Sequence, residues 1–291
     1  MFCFFSKKKS SPKSIIIRMP NWLGDFVMAI PCIDNIRLHW PDAHLTVMCM
    51  KGFAPILEKL SSVDTVLGFT PPKSREEKKR LYFCLKENSY DLGILLTHSF
   101  SSAWWFWRGG IKKRWGRSKD LRSFLLTKAY PFPKKYQEMH HVEVYLEFLE
   151  QMGIAVKKKT PELRLGVQEI EEAKSKFLTS SVKDVIYVGI HPSAAYGPAK
   201  VWPLERFHSL AKELLKFPRI ELVYLGDNKA LEAINKVYLE GESCQHNLAG
   251  KTSIRELMAL LKCCQLFITN DSGPMHLAAA LKVPLVSLFG S

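Results

Sequence analysis

The stretch LFITNDSGPMHLAAALKVPLVSLFG, residues 266–290, decides the fold, because two strand-like runs flank a helix-like segment. The runs Leu266–Thr269 and Pro284–Phe289 are short and apolar, as buried strands of a parallel sheet are. Between them, the loop TNDSGPMH leads into an alanine-rich segment that favours a helix. A strand, a helix and a second strand form the unit from which doubly wound parallel sheets are built.

The same alternation of strand and helix patterns runs through the rest of the chain. The predicted elements are strands at Ser14–Arg18, Leu45–Met50, Leu92–Leu96, Val185–Ile190 and Glu221–Leu225, with helices at Phe26–Trp40, Leu204–Lys216 and Ile254–Lys262. A polar stretch near Lys157–Lys183 separates two such series. We therefore predict an α/β protein of two doubly wound domains, with a ligand crevice at the strand ends. The predicted boundaries are a basic tail at 1–13, an N-terminal domain at 14–165, a linker at 166–183 and a C-terminal domain at 184–291.

The 291 residues are 47% hydrophobic and 24% charged, which is normal for a globular chain and excludes a disordered one. The charge is divided unevenly, because residues 1–165 hold 28 Lys and Arg against 15 Asp and Glu, whereas residues 166–291 hold 14 against 13. A basic N-terminal half favours an anionic partner, which leaves nucleic acid, an acidic lipid surface and a phosphorylated substrate open, beside plain solubility.

The seven cysteines form no CxxC motif, and several lie in apolar runs, which favours buried thiols in a reducing compartment over disulfides or a zinc site. No apolar run approaches the roughly 20 residues of a membrane span. The N-terminal MFCFFSKKK lacks the order of a secretory signal, so we predict a cytoplasmic chain. Its phenylalanines and lysines either touch a membrane surface or belong to a frayed terminus.

The first candidate site is the loop PNWLGD, residues 20–25, which follows the first strand and precedes a helix. Gly24 permits a tight turn or a close approach to a ligand. Asp25 lies where the helix begins, and backbone N–H groups there favour an ionised carboxylate. From spacing alone, Asp25 is either a catalytic carboxylate or an ordinary helix cap.

Two further loops carry groups suited to a phosphate. In HPSAAYGPAKVWP, residues 191–203, small residues near Ser193 allow a phosphate to approach, and Lys200 is either a phosphate ligand or a solvated turn residue. In TNDSGPMH, residues 269–276, Ser272 and Gly273 expose backbone N–H groups at a helix N-terminus. Asp271 either caps this helix or binds a sugar hydroxyl, and His276 either binds a ligand or satisfies a carbonyl of the core.

A fourth segment places Trp104–Trp107 just before a run of cations that includes Arg108, Arg114 and Arg117. Aromatic and cationic residues interleaved in this way are typical of surfaces for sugars, anionic lipid or nucleic acid, although part of the run belongs to the core. No nucleic-acid-binding signature accompanies it, which favours a sugar-phosphate or lipid-facing surface.

Four of these segments together resemble the lipopolysaccharide heptosyltransferases of glycosyltransferase family 9. They are NWLGD, GPAKVWPLERF, NLAGKTSIRELMALLKCC and TNDSGPMHLAAALKVPLVSLFG, and GPAKVWP with RWGRSKDLRSFLL is closest to the heptosyltransferase II type. The resemblance covers the chain from Ser14 onward. It implies a GT-B architecture of two Rossmann-like domains facing a central cleft, with the C-terminal domain incomplete because family members continue beyond Ser291. Pro274 departs from the family, which usually has an apolar residue such as Leu there.

The resemblance also implies a reaction, namely inverting, metal-independent transfer of heptose from ADP-heptose to the anionic inner core of lipopolysaccharide. Asp25 is then the general base and Lys200 a second catalytic residue. The implied donor-binding residues are Ser193, Lys200, Asp271, Ser272, Gly273, Met275 and His276. The implied acceptor-side residues are Asn21, Gly24, Arg114 and Arg117. No metal, cofactor or nucleic acid is expected, and the chain is expected at the cytoplasmic face of the inner membrane as a peripheral protein. A catalytically impaired protein that binds nucleotides or anionic glycans is the alternative.

Overall fold

A computed structural model describes residues 11–119, 121–194 and 197–290 of the chain. These residues fold into two compact units. Unit 1 comprises residues up to 21 together with 29–54 and 61–159, and unit 2 comprises 22–28, 55–60 and the residues from 160 onward. Most of the predicted basic tail lies outside the described residues.

The strands, numbered along the chain, are β1 (Ser14–Arg18), β2 (His44–Met50), β3 (Thr65–Phe69), β4 (Leu92–Leu95), β5 (Lys113–Arg117), β6 (Lys128–Tyr130), β7 (Ile186–His191), β8 (Ile220–Tyr224), β9 (Gln245–Asn247), β10 (Leu266–Asn270) and β11 (Leu285–Leu288). The helices are α1 (Leu23–Met28), α2 (Ile30–His39), α3 (Arg75–Glu87), α4 (Phe100–Arg108), α5 (His141–Gln151), α6 (Val167–Phe177), α7 (Leu204–Leu214), α8 (Leu231–Val237), α9 (Ile254–Cys263) and α10 (Gly273–Ala280). None of the described helices is long and apolar enough to cross a membrane.

Unit 1 is built on a parallel sheet with the strand order β3-β2-β1-β4-β5-β6. Its first strand is central and fully buried at Ile15, Ile16 and Ile17, because a parallel strand between two layers of helices meets no solvent on either face. The strand order reverses between β1 and β4, so the loops after these two strands leave the sheet at its switch point.

Unit 2 is built on a second parallel sheet with the order β11-β10-β7-β8-β9. The chain runs from β7 outward through β8 and β9, then returns to the other side of β7 with β10 and β11. The order therefore reverses between β7 and β10, and the loops that follow these neighbouring strands meet at their carboxyl ends. In sheets of this kind the switch point is where ligands bind. The prediction of two parallel, doubly wound α/β assemblies is confirmed.

Two predicted segments differ in the structure. The helix predicted at Phe26–Trp40 is two helices, because α2 starts anew after Ala29 with Pro31 in its first turn, where a missing N–H costs nothing. The predicted linker at 166–183 contains α6, which packs on α9 within unit 2 and is joined to it by the ion pair of Glu169 with Arg255. The charged outer face of α6 suggested a linker, and the units instead divide between residues 159 and 160.

Candidate active site

The loop after β7 brings Lys200 to the carboxyl end of the unit 2 sheet. Gly197 holds φ at +100°, a conformation that favours glycine, and a short 3₁₀ turn over Pro198–Lys200 follows it. The Trp202 backbone N–H then donates to Asn270 Oδ1 at 3.0 Å, which fixes the end of this loop against the end of β10. Ser193 lies half-buried at the start of the same loop.

Lys200, Asp271 and His276 form one polar cluster. Lys200 Nζ donates a hydrogen bond to Asp271 Oδ2, and the Lys200 side chain is 45% exposed against 23% for Asp271. The other carboxylate oxygen, Asp271 Oδ1, lies 4.0 Å from His276 Nε2. The Asp271 carboxylate therefore lies between two groups that can carry positive charge, and it holds the lysine ammonium at the switch point. The sequence predicted that these three residues share a site, and the structure brings them together.

The N-terminus of α10 opens into this cluster. Ser272 is the residue before the helix, but its Oγ lies 3.0 Å from Thr269 Oγ1, and within the described residues it makes no capping bond to the helix. The Ser272 side chain therefore does not cap the first-turn backbone N–H groups of Gly273 and Met275, and Pro274 has no N–H. Together with the helix dipole, such groups favour a bound anion.

Helix α1, which carries the NWLGD motif, packs directly against α10 in unit 2. A Cβ atom on Gly24 would lie 2.7 Å from His276 Cδ2, and one on Gly273 would lie 2.9 Å from Leu23 Cβ. Only residues without a side chain allow this approach, so both glycines are required by helix packing. The space beside the Gly24 Cα is taken by His276, and the φ of Gly24 is not in the left-handed region, whereas the acceptor-side assignment of Gly24 stays a prediction.

Asp25 is the third residue of α1 and is half-buried. Its place in the first turn confirms that it lies where the helix begins, and a carboxylate there is stabilised by the helix dipole. The residue before it contacts His276, so the packing of α1 on α10 fixes the backbone that carries Asp25 relative to the Asp271 cluster.

His191, the last residue of β7, is buried beneath the loop and belongs to the scaffold. Its Nδ1 lies 2.8 Å from the Leu225 carbonyl oxygen, so that nitrogen carries the proton and donates. Burial lowers the pKa of His191 below its ordinary value, which keeps the ring neutral. This bond joins the carboxyl ends of β7 and β8.

In unit 1, Asn21 is held by Arg18, the last residue of β1. The Arg18 guanidinium donates from Nη2 to Asn21 Oδ1 at 2.5 Å and from Nη1 to the Met19 carbonyl, and it lies 4.4 Å from the centre of the Phe69 ring. Burial lowers the pKa of Arg18 to about 10, so it stays charged at neutral pH. Arg18 is a residue that the sequence reasoning missed. Its only signal was a cation at the end of the apolar run SIIIR.

The acceptor-side prediction for Arg117 is wrong. Its side chain is 2% exposed and pairs with Glu147, and it also donates to the Val144 carbonyl oxygen at 3.0 Å and to Gln151 Oε1 at 3.1 Å. These contacts fix α5 to β5, and they leave the guanidinium buried.

Arg114 and Met275 remain predictions. Arg114 Nε donates to the Leu125 carbonyl oxygen at 2.6 Å, and its Nη1 to that of Ile111, so much of this half-buried side chain serves the β5 region. Met275 is 9% exposed and its Sδ accepts a hydrogen bond from Ser287 Oγ at 2.5 Å. Neither contact tests ligand binding.

The sequence reasoning also missed the part played by Asn270. This residue is fully buried at the end of β10, where its Oδ1 holds the Lys200 loop through Trp202. Its Nδ2 has no hydrogen-bond partner within the described part of the chain. An asparagine that ends an apolar strand beside a candidate site is the signal that could have found it.

Comparison with known proteins places this geometry in a family. Residues 79–291 match the family model of glycosyltransferase family 9 (heptosyltransferase). The chain is 31% identical to lipopolysaccharide heptosyltransferase 2 of Salmonella typhimurium over 290 residues, which cover 95% of this chain and 82% of that protein. It is 30% identical to the lipopolysaccharide heptosyltransferase 2 of Escherichia coli K12, with the same coverage.

Solved structures agree. The E. coli ADP-heptose lipopolysaccharide heptosyltransferase II superposes with a TM-score of 0.83 at 29% identity, covering 95% of this chain and 84% of that one. A family 9 glycosyl transferase from Veillonella parvula gives a TM-score of 0.85 at 24% identity, covering 96% and 81%, which bears on the fold alone. With two Rossmann-like parallel sheets of the GT-B class and a family model that matches most of its length, the chain belongs to glycosyltransferase family 9, the heptosyltransferases.

Proposed function

We propose that the chain transfers heptose from ADP-heptose to a hydroxyl of the lipopolysaccharide inner core, with inversion at the anomeric carbon and without a metal ion. The observation that carries the proposal is the Lys200–Asp271–His276 cluster at the N-terminus of α10, against which the helix bearing Asp25 is packed. Relatives named heptosyltransferase 2 support the sugar and the acceptor class.

The donor diphosphate would bind where β7 and β10 end. Lys200 supplies a positive charge that Asp271 holds in place, and the N–H groups of Gly273 and Met275 supply oriented dipoles. His276 contributes a hydrogen bond to a phosphate or sugar oxygen. These groups interact more strongly with the ADP leaving group as its negative charge develops. They therefore stabilise the transition state more than the bound donor.

The chemical step requires a base. The acceptor hydroxyl oxygen attacks C1 of the heptose, the bond from C1 to the phosphate oxygen breaks, and ADP leaves with the electron pair. Asp25 accepts the hydroxyl proton as the new bond forms. Attack opposite to the leaving group inverts the anomeric configuration. The proton has a defined destination, and the leaving group is stabilised by a lysine and a helix terminus, so no metal ion is needed in the proposal.

We also propose that the protein works at an anionic membrane surface. Residues 1–165 carry a net charge of +13, from 28 Lys and Arg and 15 Asp and Glu. Cations near an anionic leaflet each contribute about 1 kcal/mol of attraction. The acceptor's lipid anchor would keep the substrate at that surface.

Incubation with ADP-heptose and a defined, deacylated inner-core acceptor tests the reaction. We expect the acceptor mass to rise by one heptose, ADP to be released in equal amount, and the anomeric configuration to invert by NMR, with the rate unchanged by EDTA. Binding of ADP-heptose without transfer would instead identify the alternative, a non-catalytic nucleotide-binding protein. A rate abolished by EDTA and restored by a divalent ion would refute metal independence.

A further inference from the structure

A set of aromatic side chains on α3, α4 and the turn after β5 is not used by the proposed reaction. We call it the aromatic patch, and it consists of Tyr82, Phe100, Trp104, Trp107 and Phe124. The Phe100 ring lies 6.1 Å from those of both Trp104 and Phe124, and Trp104 lies 4.9 Å from Trp107. The patch is therefore continuous from the turn to the end of α4.

The aromatic patch extends outward from the core of unit 1, against which its members Tyr82 and Trp104 pack. The next residues of α4, Trp105 and Phe106, are 9% and 0% exposed and belong to that core. In contrast, Phe124 is 72% exposed, and Phe100 and Trp107 are 41% and 43% exposed. Packing of unit 1 thus accounts for one side of the helix and leaves an apolar face outward, of the kind that marks an interaction site.

The patch borders an apolar groove of about 420 Å³ between α3 and α4. Tyr82, Phe100 and Trp104 line this groove, together with Lys78 at its rim. Three residues before Phe124, Leu121 is 89% exposed with φ at +54°, a conformation that is costly for a branched residue. The turn therefore presents two large apolar side chains to the outside.

Two cations lie at the patch, Arg108 at the end of α4 and Lys78 at the groove, and others lie nearby in the chain. Residues 92–119 contain six Lys or Arg and no Asp or Glu, and five of the six remain once the buried Arg117 is left out. The Arg108 guanidinium lies 5.8 Å from the centre of the Tyr82 ring and 5.9 Å from that of Trp107, and Lys112 and Lys119 are exposed. On α3, Lys78–Arg80 follow Glu76 and Glu77, and Glu77 is engaged in the Ser74 capping box. An apolar centre within a positive rim is complementary to an acidic lipid surface.

We infer that the aromatic patch is the surface by which unit 1 binds an anionic bilayer, with Phe100, Trp107 and Phe124 entering the interface between headgroups and acyl chains. Aromatic rings favour that interface, and flanking Lys and Arg bind the acidic headgroups. The phosphates of a nucleic acid would contact the cations but would leave the apolar groove exposed to water. The inference rests on the proposed membrane association and adds its location and its mode, apolar insertion together with charge attraction.

Vesicle binding tests the inference on the full chain. We expect sedimentation with vesicles of phosphatidylcholine that contain about a third phosphatidylglycerol, and weak binding to phosphatidylcholine alone. The double variant Phe100→Ser with Phe124→Ser should bind the acidic vesicles about tenfold more weakly. The reason is that it loses the favourable free energy of moving two apolar rings from water into the bilayer interface. Phe217→Ser, which replaces a ring 60% exposed in unit 2, is the matched control and should bind as the unmodified chain does.

Fluorescence reports the depth of insertion. Brominated acyl chains should quench the tryptophan emission of the bound protein, and Trp107→Phe should reduce this quenching while affinity stays within about twofold, because phenylalanine keeps an apolar ring at the interface. Equal affinity of the Phe100→Ser, Phe124→Ser variant and the unmodified chain would overturn the inference. Absence of quenching would overturn it as well. The same holds if this variant kept its vesicle binding but lost binding to an oligonucleotide or lost self-association.

The two proposals fail in different ways. With a deacylated, water-soluble acceptor, the Phe100→Ser, Phe124→Ser variant should transfer heptose at the unmodified rate, because no membrane is involved. A chain that binds vesicles through the patch but transfers no heptose would refute the proposed reaction and keep the surface. A chain that transfers heptose but binds vesicles independently of the patch would do the reverse.

Discussion

Replacement of Gly24 by alanine tests whether this residue serves helix packing, as the structure indicates. The added Cβ would lie 2.7 Å from His276 Cδ2 and 3.1 Å from His276 Nε2, so either the imidazole ring or α1 has to move. Overpacking of this kind costs about 1–3 kcal/mol. The same substitution gains up to about 1 kcal/mol, because alanine loses less backbone entropy in a helix than glycine.

The net expectation for Gly24→Ala is a loss of about 1–2 kcal/mol in the free energy of unfolding. For units of this size that corresponds to a fall in Tm of roughly 3–6 °C, measured by calorimetry. Gly52→Ala is the matched control, because a Cβ at Gly52 meets nothing within 4 Å. It should leave Tm unchanged or raise it slightly.

A double-mutant cycle isolates the contact. In a His276→Ala background the ring that the new Cβ would meet is gone, so Gly24→Ala should become neutral or stabilising. If Gly24→Ala destabilised both backgrounds equally, the close approach of α1 to His276 would not be the cause. If it destabilised neither, the packing of α1 on α10 would be looser than the structure describes.

Three further predictions concern the site and its scaffold. Asp25→Asn should retain ADP-heptose affinity but lower turnover about 10²-fold or more, and a turnover close to that of the unmodified chain in the transfer assay would leave Asp25 as a helix-stabilising residue only. Lys200→Ala should weaken ADP binding about 10- to 100-fold by calorimetric titration and slow transfer as well, whereas Lys216→Ala, whose partner is Glu213, should do neither. His191→Gln should reduce the loss of Tm on acidification. Because burial lowers the pKa of His191, the histidine is protonated in the unfolded chain at a higher pH than in the folded chain. The stability that the neutral, buried His191 contributes is therefore complete above about pH 6.5 and is lost as the pH falls below that value. A variant with the same Tm decrease between neutral pH and about pH 5 as the unmodified chain would show that His191 does not titrate in this way.

The apolar strands, and with them the fold class, could be predicted because their burial dictates their composition. The run SIIIR is fully buried at its three isoleucines, and every strand predicted from such a run exists to within a residue or two. β5, with the sequence KRWGR, was not predicted, since three of its five residues are cations. One of these charges, that of Arg117, is buried through its pairing with the distant Glu147, and single-sequence periodicity carries no information on such partners.

The loops of the candidate site could be predicted for a different reason. A ligand site in a parallel sheet must follow strand ends, so identifying β7 and β10 was enough to place Lys200 and Asp271 in one region. The unit to which α1 belongs could not be predicted in the same way. It follows β1 of unit 1 in the chain, yet it packs on α10 in unit 2, and this depends on two glycines that meet neighbouring side chains.

The TNDSGPMH loop therefore combines two kinds of requirement, which determine how substitutions in it should be interpreted. Thr269 is hydrogen-bonded to Ser272, and Asn270 holds the loop that carries Lys200. Gly273 lacks a side chain and so lets Leu23 pack close to it. Packing and hydrogen bonding of the scaffold are enough to explain each of these residues. A loss of activity at these three positions would report first on packing. Asp271 and His276 are different, because both side chains are partly exposed and belong to the polar cluster with Lys200 at the helix N-terminus. Substitutions that keep their size, such as Asp271→Asn, change the charge presented to a diphosphate while leaving the packing of α1 on α10 in place, and they are the ones that measure the chemistry.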